Sequence, residues 1–349
     1  MKKERDVFWD VVKGFAILLV VLGHSINYGN GADYLKSEAF YDLFLFKLIY
    51  SFHMPIFMVV SGYLFYNSVL RKSPSMIIQS RIRMLLIPVI SFAVIYKCSF
   101  LLSVIKGEMS LLSLAYDFFT TVFLGYHLWF LWSVFLNSML VLLVQKLKLP
   151  SYSYILIWIC SLLLRTYGDF LSGMELYSFM FPYFVIGFML HQYGNTKWYS
   201  SGRVLIISAL FYAALLLFFD RETYIYTSGQ CILRENGFHY FLIDVQRFLT
   251  GLFGSILFIN AIRYLYVNFD KSSIFKYLSI LGINSMGIYC FHHLFLWQFI
   301  KHCTVHIHIN YFSLPLTLLT FVPTLTFGLV CTFIAQKYRI TKVLFLGGR

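Results

Sequence analysis

The stretch Trp9-Asp10-Val11-Val12-Lys13-Gly14-Phe15-Ala16-Ile17-Leu18-Leu19-Val20-Val21-Leu22-Gly23-His24-Ser25 decides how the chain is read. It is apolar enough to enter a bilayer, whose hydrocarbon core takes a helix of about 20 apolar residues. Yet it carries Asp10, Lys13 and His24. Ionisable groups inside a span cost roughly 2.5–3.5 kcal/mol each on insertion scales, so each is a functional candidate. Lys13 and His24 are eleven residues apart. At about 100° per residue they return to nearly the same face, about 16 Å apart along the axis. One stripe of one helix thus carries a cation near one end and an imidazole deeper in. Asp10, three residues before Lys13, is placed to pair with it. The preceding Met1-Lys2-Lys3-Glu4-Arg5 gives the run the look of a signal peptide. No small-residue cleavage site follows, and a disposable leader has no use for three ionisable groups. We therefore expect a retained first helix.

The rest of the chain agrees. Of its 349 residues 59% are hydrophobic, and only 12% are charged, with a mean hydropathy of +0.74. Soluble domains carry about 25% charged residues, so an aqueous fold could not absorb this sequence. Apolar segments at 8–28, 42–67, 82–105, 123–145, 152–170, 175–192, 203–220, 240–265, 278–300 and 313–336 alternate with polar or Gly- and Pro-containing breaks. The expectation is an all-α integral membrane protein of about ten transmembrane helices. These spans use nearly the whole length, which argues for a single transmembrane domain over 1–349 and no separate soluble one. Most of the 28 Lys and Arg residues fall in alternate loops, which places both termini in the cytoplasm. This distribution accounts for the net charge of +13 without a nucleic-acid partner. Basic inner loops would also attract an acidic cytosolic cosubstrate. Cys98, Cys160, Cys290 and Cys331 fall within spans, so no disulfide framework follows. Cys231 and Cys303 fall in expected outer loops and are able to pair.

Other polar residues interrupt the spans. Ser51-Phe52-His53-Met54-Pro55 puts His53 beside a proline that removes a backbone donor. Arg81 and Arg83 precede Leu85-Leu86-Ile87-Pro88, where guanidinium groups at a helix entrance suit phosphate. His127 and Trp129 lie in Gly125-Tyr126-His127-Leu128-Trp129-Phe130-Leu131-Trp132, which reads as an interfacial aromatic belt or a stacking platform for a sugar ring. Leu281-Gly282-Ile283-Asn284-Ser285 leads to Tyr289, His292 and His293. His302, His306 and His308 do not match a zinc spacing, and no metal is expected. The chain contains neither a GxSxG elbow nor a P-loop.

Together these stretches resemble the membrane-bound acyltransferase 3 family, including its fucose 4-O-acetylase-like branch. The matching residues are Asp10 to His24 with the Lys-x10-His spacing, Phe52 to Tyr63, the basic start before Pro88, His127 to Leu131, and Leu281 to His292. They occur in the family's order from end to end. The resemblance implies a ten-helix fold in the bacterial cytoplasmic (inner) membrane. It implies transfer of an acyl group, usually acetyl from cytosolic acetyl-CoA, to a hydroxyl of an extracytoplasmic or lipid-linked glycan of the cell envelope. On that reading His24 and His53 are catalytic, Asp10, Lys13, Arg81 and Arg83 serve the acyl-CoA donor, and His127, Trp129, Asn284 and His292 serve the acceptor. The chain departs from the family's Arg-x-x-Arg motif: after Arg81 the second position is Met84, and Arg83 stands one residue earlier. On this reading no periplasmic hydrolase-like domain, of the kind fused to some relatives, is expected within residues 1–349. The competing readings are an exporter of polysaccharide or lipid-linked glycan with the same polar core, and a non-catalytic membrane scaffold.

Overall fold

The computed structural model describes residues 6–123, 128–164, 174–194, 196–228, 237–269, 272–304 and 306–348, and among these there is no strand. The main helices are α1 (Val7–Gly29), α2 (Phe44–Arg71), α3 (Ile87–Ile105), α4 (Leu111–Phe123), α5 (Trp129–Lys146), α6 (Ser153–Leu164), α7 (Met174–Gln192), α8 (Gly202–Leu216), α9 (Gly237–Phe269), α10 (Ser273–Ile283), α11 (Ser285–Phe295), α12 (Leu314–Lys337) and α13 (Arg339–Leu346). Among the described residues six helices are long and apolar enough to cross a membrane, and seven if the bent pair α10–α11 counts as one. Apolar but shorter are the segments Leu111–Thr120, Ser153–Leu162 and Gly202–Leu216.

Three segments differ from the sequence reading. The apolar run at 278–300 is not one rod, because α10 and α11 meet at 73° across Asn284. Asn284 adopts φ −96° and ψ 3°, and its amide nitrogen donates to the Ile280 carbonyl at 2.8 Å, closing the end of α10. The run at 82–105 is preceded by a helix from Pro74, with a π-helical turn over Ile82–Leu86. Finally, α4 is an extra helix ahead of the run at 123–145.

The chain forms two compact units, Met1–Leu64 with Ile186–Thr332, and Phe65–Val185 with Phe333–Arg349. In the first unit α1 is largely buried: Val11, Val12, Ile17, Val21 and Ile26 have no exposed surface. Its contact with α10 is backbone against backbone. A Cβ on Gly14 would stand 1.8 Å from the Leu278 carbonyl oxygen, and one on Gly282 would stand 1.7 Å from that of Asp10. Small residues permit such approach where lipid gives no hydrophobic drive to helix pairing. At the far end of α1, Asn30 donates to Thr317 Oγ1 at 2.9 Å and accepts from the Ser313 backbone N–H at 2.9 Å, tying α1 to the start of α12. Gly254 on α9 lets that helix close against Phe52 of α2.

In the second unit, Lys97 pairs with Asp117 at 2.6 Å, joining α3 to α4. After α13 the chain turns through Gly347 (φ 61°) and Gly348 (φ 81°) and comes back against Met84 and Arg83 of the π-helical turn.

Gly282→Ala is expected to destabilise the folded protein by about 3 kcal/mol, as overpacking against fixed backbone does. Gly202→Ala, where an added Cβ meets nothing within 4 Å, serves as the control. Thermal unfolding of both variants in detergent, followed by size-exclusion profile, checks the contrast.

Candidate functional site

The crossing of α1 and α10 fixes where the polar residues of the first unit fall. Near the start of α1, Lys13 Nζ contacts Asp10 Oδ1 at 2.7 Å, with side-chain exposures of 21% and 5%. The i,i+3 spacing gives the pair its geometry. Asp10 is also the residue whose carbonyl oxygen faces Gly282. Around it Trp9 packs on Tyr63 with centroids 4.4 Å apart and edge-on to Tyr199 at 5.3 Å. Tyr63 in turn stacks on His191 at 4.1 Å. One end of the stripe is therefore an ion pair set in aromatic rings.

At the other end stands His24. Its ring lies 5.3 Å from that of His292 and 6.4 Å from that of His293. The 73° bend at Asn284 aims α11, and His292 with it, at α1. His292 is fully buried, and its Nδ1–H donates to the Ile288 carbonyl at 3.1 Å. A neutral imidazole that donates through Nδ1 presents a bare lone pair at Nε2. That Nε2 is buried without a partner, as is Nδ1 of His24. Buried polar atoms are nearly always satisfied, so two orphaned nitrogens on rings 5.3 Å apart make this pair a candidate site. His24 as a whole keeps some accessible surface.

His53 lies within electrostatic reach of His24 but makes no ring contact with it. Its Nδ1–H donates to the Ile49 carbonyl at 2.8 Å, and its ring meets Tyr50 edge-on at 5.0 Å. Two residues along α2 lies Pro55, which leaves the Ser51 carbonyl without its helical donor. One turn earlier, Ser51 Oγ and Tyr212 OH both donate to the Leu48 carbonyl.

The expected set thus separates. Asp10 with Lys13, and His24 with His292, are brought together in the first unit, with Asn284 as the bend between α10 and α11. Arg81, Arg83 and Trp129 belong to the second unit. There Arg81 lies 4.7 Å over the Phe65 ring, Arg83 is exposed beside Gly348, and Trp129 is buried at the start of α5. His127 and Cys231 lie outside the described residues. Asn27, Tyr28 and Tyr50 were not singled out from the sequence. The signal was present, since Asn27 and Tyr28 follow His24 by three and four residues and so share its helix face.

A helical membrane frame with an ion pair and a buried histidine group on one stripe defines a multi-pass membrane protein with a polar site among its helices. The chain belongs to the acyltransferase 3 family: residues 6–335 match its acyltransferase domain. Among curated proteins it is similar to nodulation protein NolL of Mesorhizobium japonicum, 29% identical over 232 residues, covering 64% of this chain and 59% of that protein. NolL of Sinorhizobium fredii is 30% identical over 234 residues, covering 64% and 60%. The chain thus matches about three fifths of the length of these relatives. No solved structure matches.

Lys13→Met removes the cation paired with the buried Asp10 carboxylate and is expected to cost about 3 kcal/mol of stability. Adding Asp10→Asn removes the carboxylate charge and restores part of it. Thermal denaturation of the single and double variants reads the difference.

Proposed function

We propose that this protein is a membrane-bound O-acyltransferase. It moves an acyl group, most simply acetyl, from acyl-CoA to a hydroxyl of an extracytoplasmic or lipid-linked glycan. The observation that carries the reading is the His24–His292 pair: two buried, partnerless imidazole nitrogens, one of them on the α1 stripe that also carries Lys13. Family membership supports acyl transfer as the class of reaction.

The donor enters from the cytoplasm, and its phosphates meet the positive Lys13 end of α1. Arg81 and Arg83 keep the donor-binding role that their basic motif implies, and that role rests on the sequence. About 16 Å of helix rise separates Lys13 from His24, a distance suited to a donor whose anionic and reactive ends are joined by a long arm. At His24 an unprotonated ring nitrogen takes the proton of the acceptor hydroxyl as its oxygen attacks the thioester carbonyl. The C–S bond breaks, and the thiolate leaves with the proton returned by the imidazolium. A general base of this kind contributes about 10²–10⁴-fold. His292 packs its ring against that of His24 as a positioning neighbour, and His53 stands behind as a further polar group. Ten spans with both termini in the cytoplasm, in a bacterial cytoplasmic membrane, complete the reading.

Free CoA release from acetyl-CoA, with extracted surface glycan as acceptor, is the test. His24→Ala is expected to lower turnover by at least about 10²-fold, and His292→Gln to lower it less. Release that persists unchanged in His24→Ala contradicts the assignment. Intact acetyl-CoA across a broad acceptor panel, with folded protein, favours the exporter.

A further inference from the structure

The second unit holds a cavity that the chemistry at α1 does not use. It opens between α5, α6, α7 and the short helix Pro74–Arg81, with a volume of about 750 Å³. Sites for small ligands fall in the range of about 300–1,000 Å³. On α5 the lining residues include Leu136, Leu140, Leu143 and Lys146. Their spacing is that of one helix face, so a single apolar stripe runs along the cavity and ends on a cation. Across from it stand Ile157 of α6 and Phe181 of α7. These two helices are fastened to each other at the cavity. Trp158 Nε1–H donates to the Ser178 carbonyl at 3.2 Å, and Ser178 Oγ donates to the Ser161 carbonyl at 3.4 Å.

From this shape and charge we infer that the cavity binds one acyl chain of an anionic glycerophospholipid, with the lipid phosphate held at Lys146. The inference goes beyond acyl transfer and does not depend on it. Length, wall and charge lead there. Leu136 to Lys146 spans about 15 Å of helix rise. That is half of a hydrocarbon core of about 30 Å, so the stripe has the depth of one leaflet. The walls are almost wholly hydrocarbon, which suits a chain and gives a sugar or a nucleotide nothing to bond. Lys146 is exposed in the last turn of α5, where its stem lies along apolar surface while its ammonium reaches the headgroup level. Pro74 also lines the cavity, and Arg71 and Lys72 directly precede it in the chain, while Lys148 follows Lys146 by two residues. The sequence has no Asp or Glu in 65–107 or 118–168. Gln145 donates to the Tyr154 hydroxyl at 2.9 Å, so the start of α6 lies at the Lys146 end. Glu175 of α7 lies beyond Ser178, the residue tied to Ser161, and so away from that end. A basic end on an apolar slot between membrane helices is the arrangement that recognises anionic lipid headgroups.

The test uses the full chain purified in detergent and offered phosphatidylglycerol or phosphatidylcholine with identical chains. Native mass spectrometry counts the lipid retained. One phosphatidylglycerol is expected to be held about 5-fold more tightly than phosphatidylcholine, the gain typical of one basic residue at a headgroup. Lys146→Gln should remove that preference and leave phosphatidylcholine retention unchanged, whereas Lys276→Gln on α10 should change neither. Leu143→Trp crowds the cavity from a position that is 48% exposed, where added bulk spares the fold, and should lower retention of both lipids. The proposal is overturned if no lipid is retained, if phosphatidylcholine is held as tightly as phosphatidylglycerol, or if the preference survives in Lys146→Gln. Polyprenyl phosphate retained ahead of both phospholipids gives the cavity to a lipid carrier, and a dimer indifferent to added lipid gives it to a second copy of the chain; either result also overturns it.

Discussion

The acyltransfer site proposed for this protein depends on the contact between α1 and α10, where Gly14 and Gly282 let two backbones touch. In water such a contact would be one among many. In a bilayer, lipid tails are as apolar as leucine, so helix pairs are held by close packing and interhelical polar contacts. The contact also sets a datum. Gly282 is two residues before the Asn284 bend, and the bend swings α11 so that His292 meets His24. A shift of α10 along α1 would therefore be transmitted directly to the separation of the two imidazoles.

The same frame separates two kinds of chemistry along one helix. At Lys13 the site is ionic, with a compensated pair. At His24 and Asn27 it is neutral, with the imidazole Nδ1 and the amide Oδ1 buried without a hydrogen-bond partner. That gradient suits a reaction whose donor is a polyanion and whose acceptor is a polyol arriving from the opposite side. Charge kept at one end avoids burying an unpaired ion beside the histidines, where desolvation would be most expensive.

Much of this was legible in the sequence, for physical reasons. The Lys-x10-His spacing reads directly as one face of one helix, and Asp10 with Lys13 as a pair. Apolar runs located α1, α2, α9 and α12 because hydropathy is a local property. The bend at Asn284 was not legible, because the run from 278 to 300 is apolar enough to read as one span and a single residue in the bridge region redirects it. The preference of His24 for His292 over His53 depends on packing between residues far apart in sequence, and periodicity carries no such information. Asn27 and Tyr50 were overlooked because neither ionises near neutral pH, and the reading weighted ionisable groups. Arg83 illustrates the limit of helix geometry: a π-helical turn alters the angular step that an α-helical projection assumes.

The central claim, that this site joins an acyl group to a sugar hydroxyl, is tested most directly by the fate of the acyl label itself. Sealed inverted membrane vesicles containing the protein are supplied with acetyl-CoA labelled in the acetyl group. The account predicts label in a base-labile O-ester on glycan enclosed by the vesicle, and none when His24 is replaced by alanine. Label that stays on CoA while unmodified glycan crosses the membrane would contradict it.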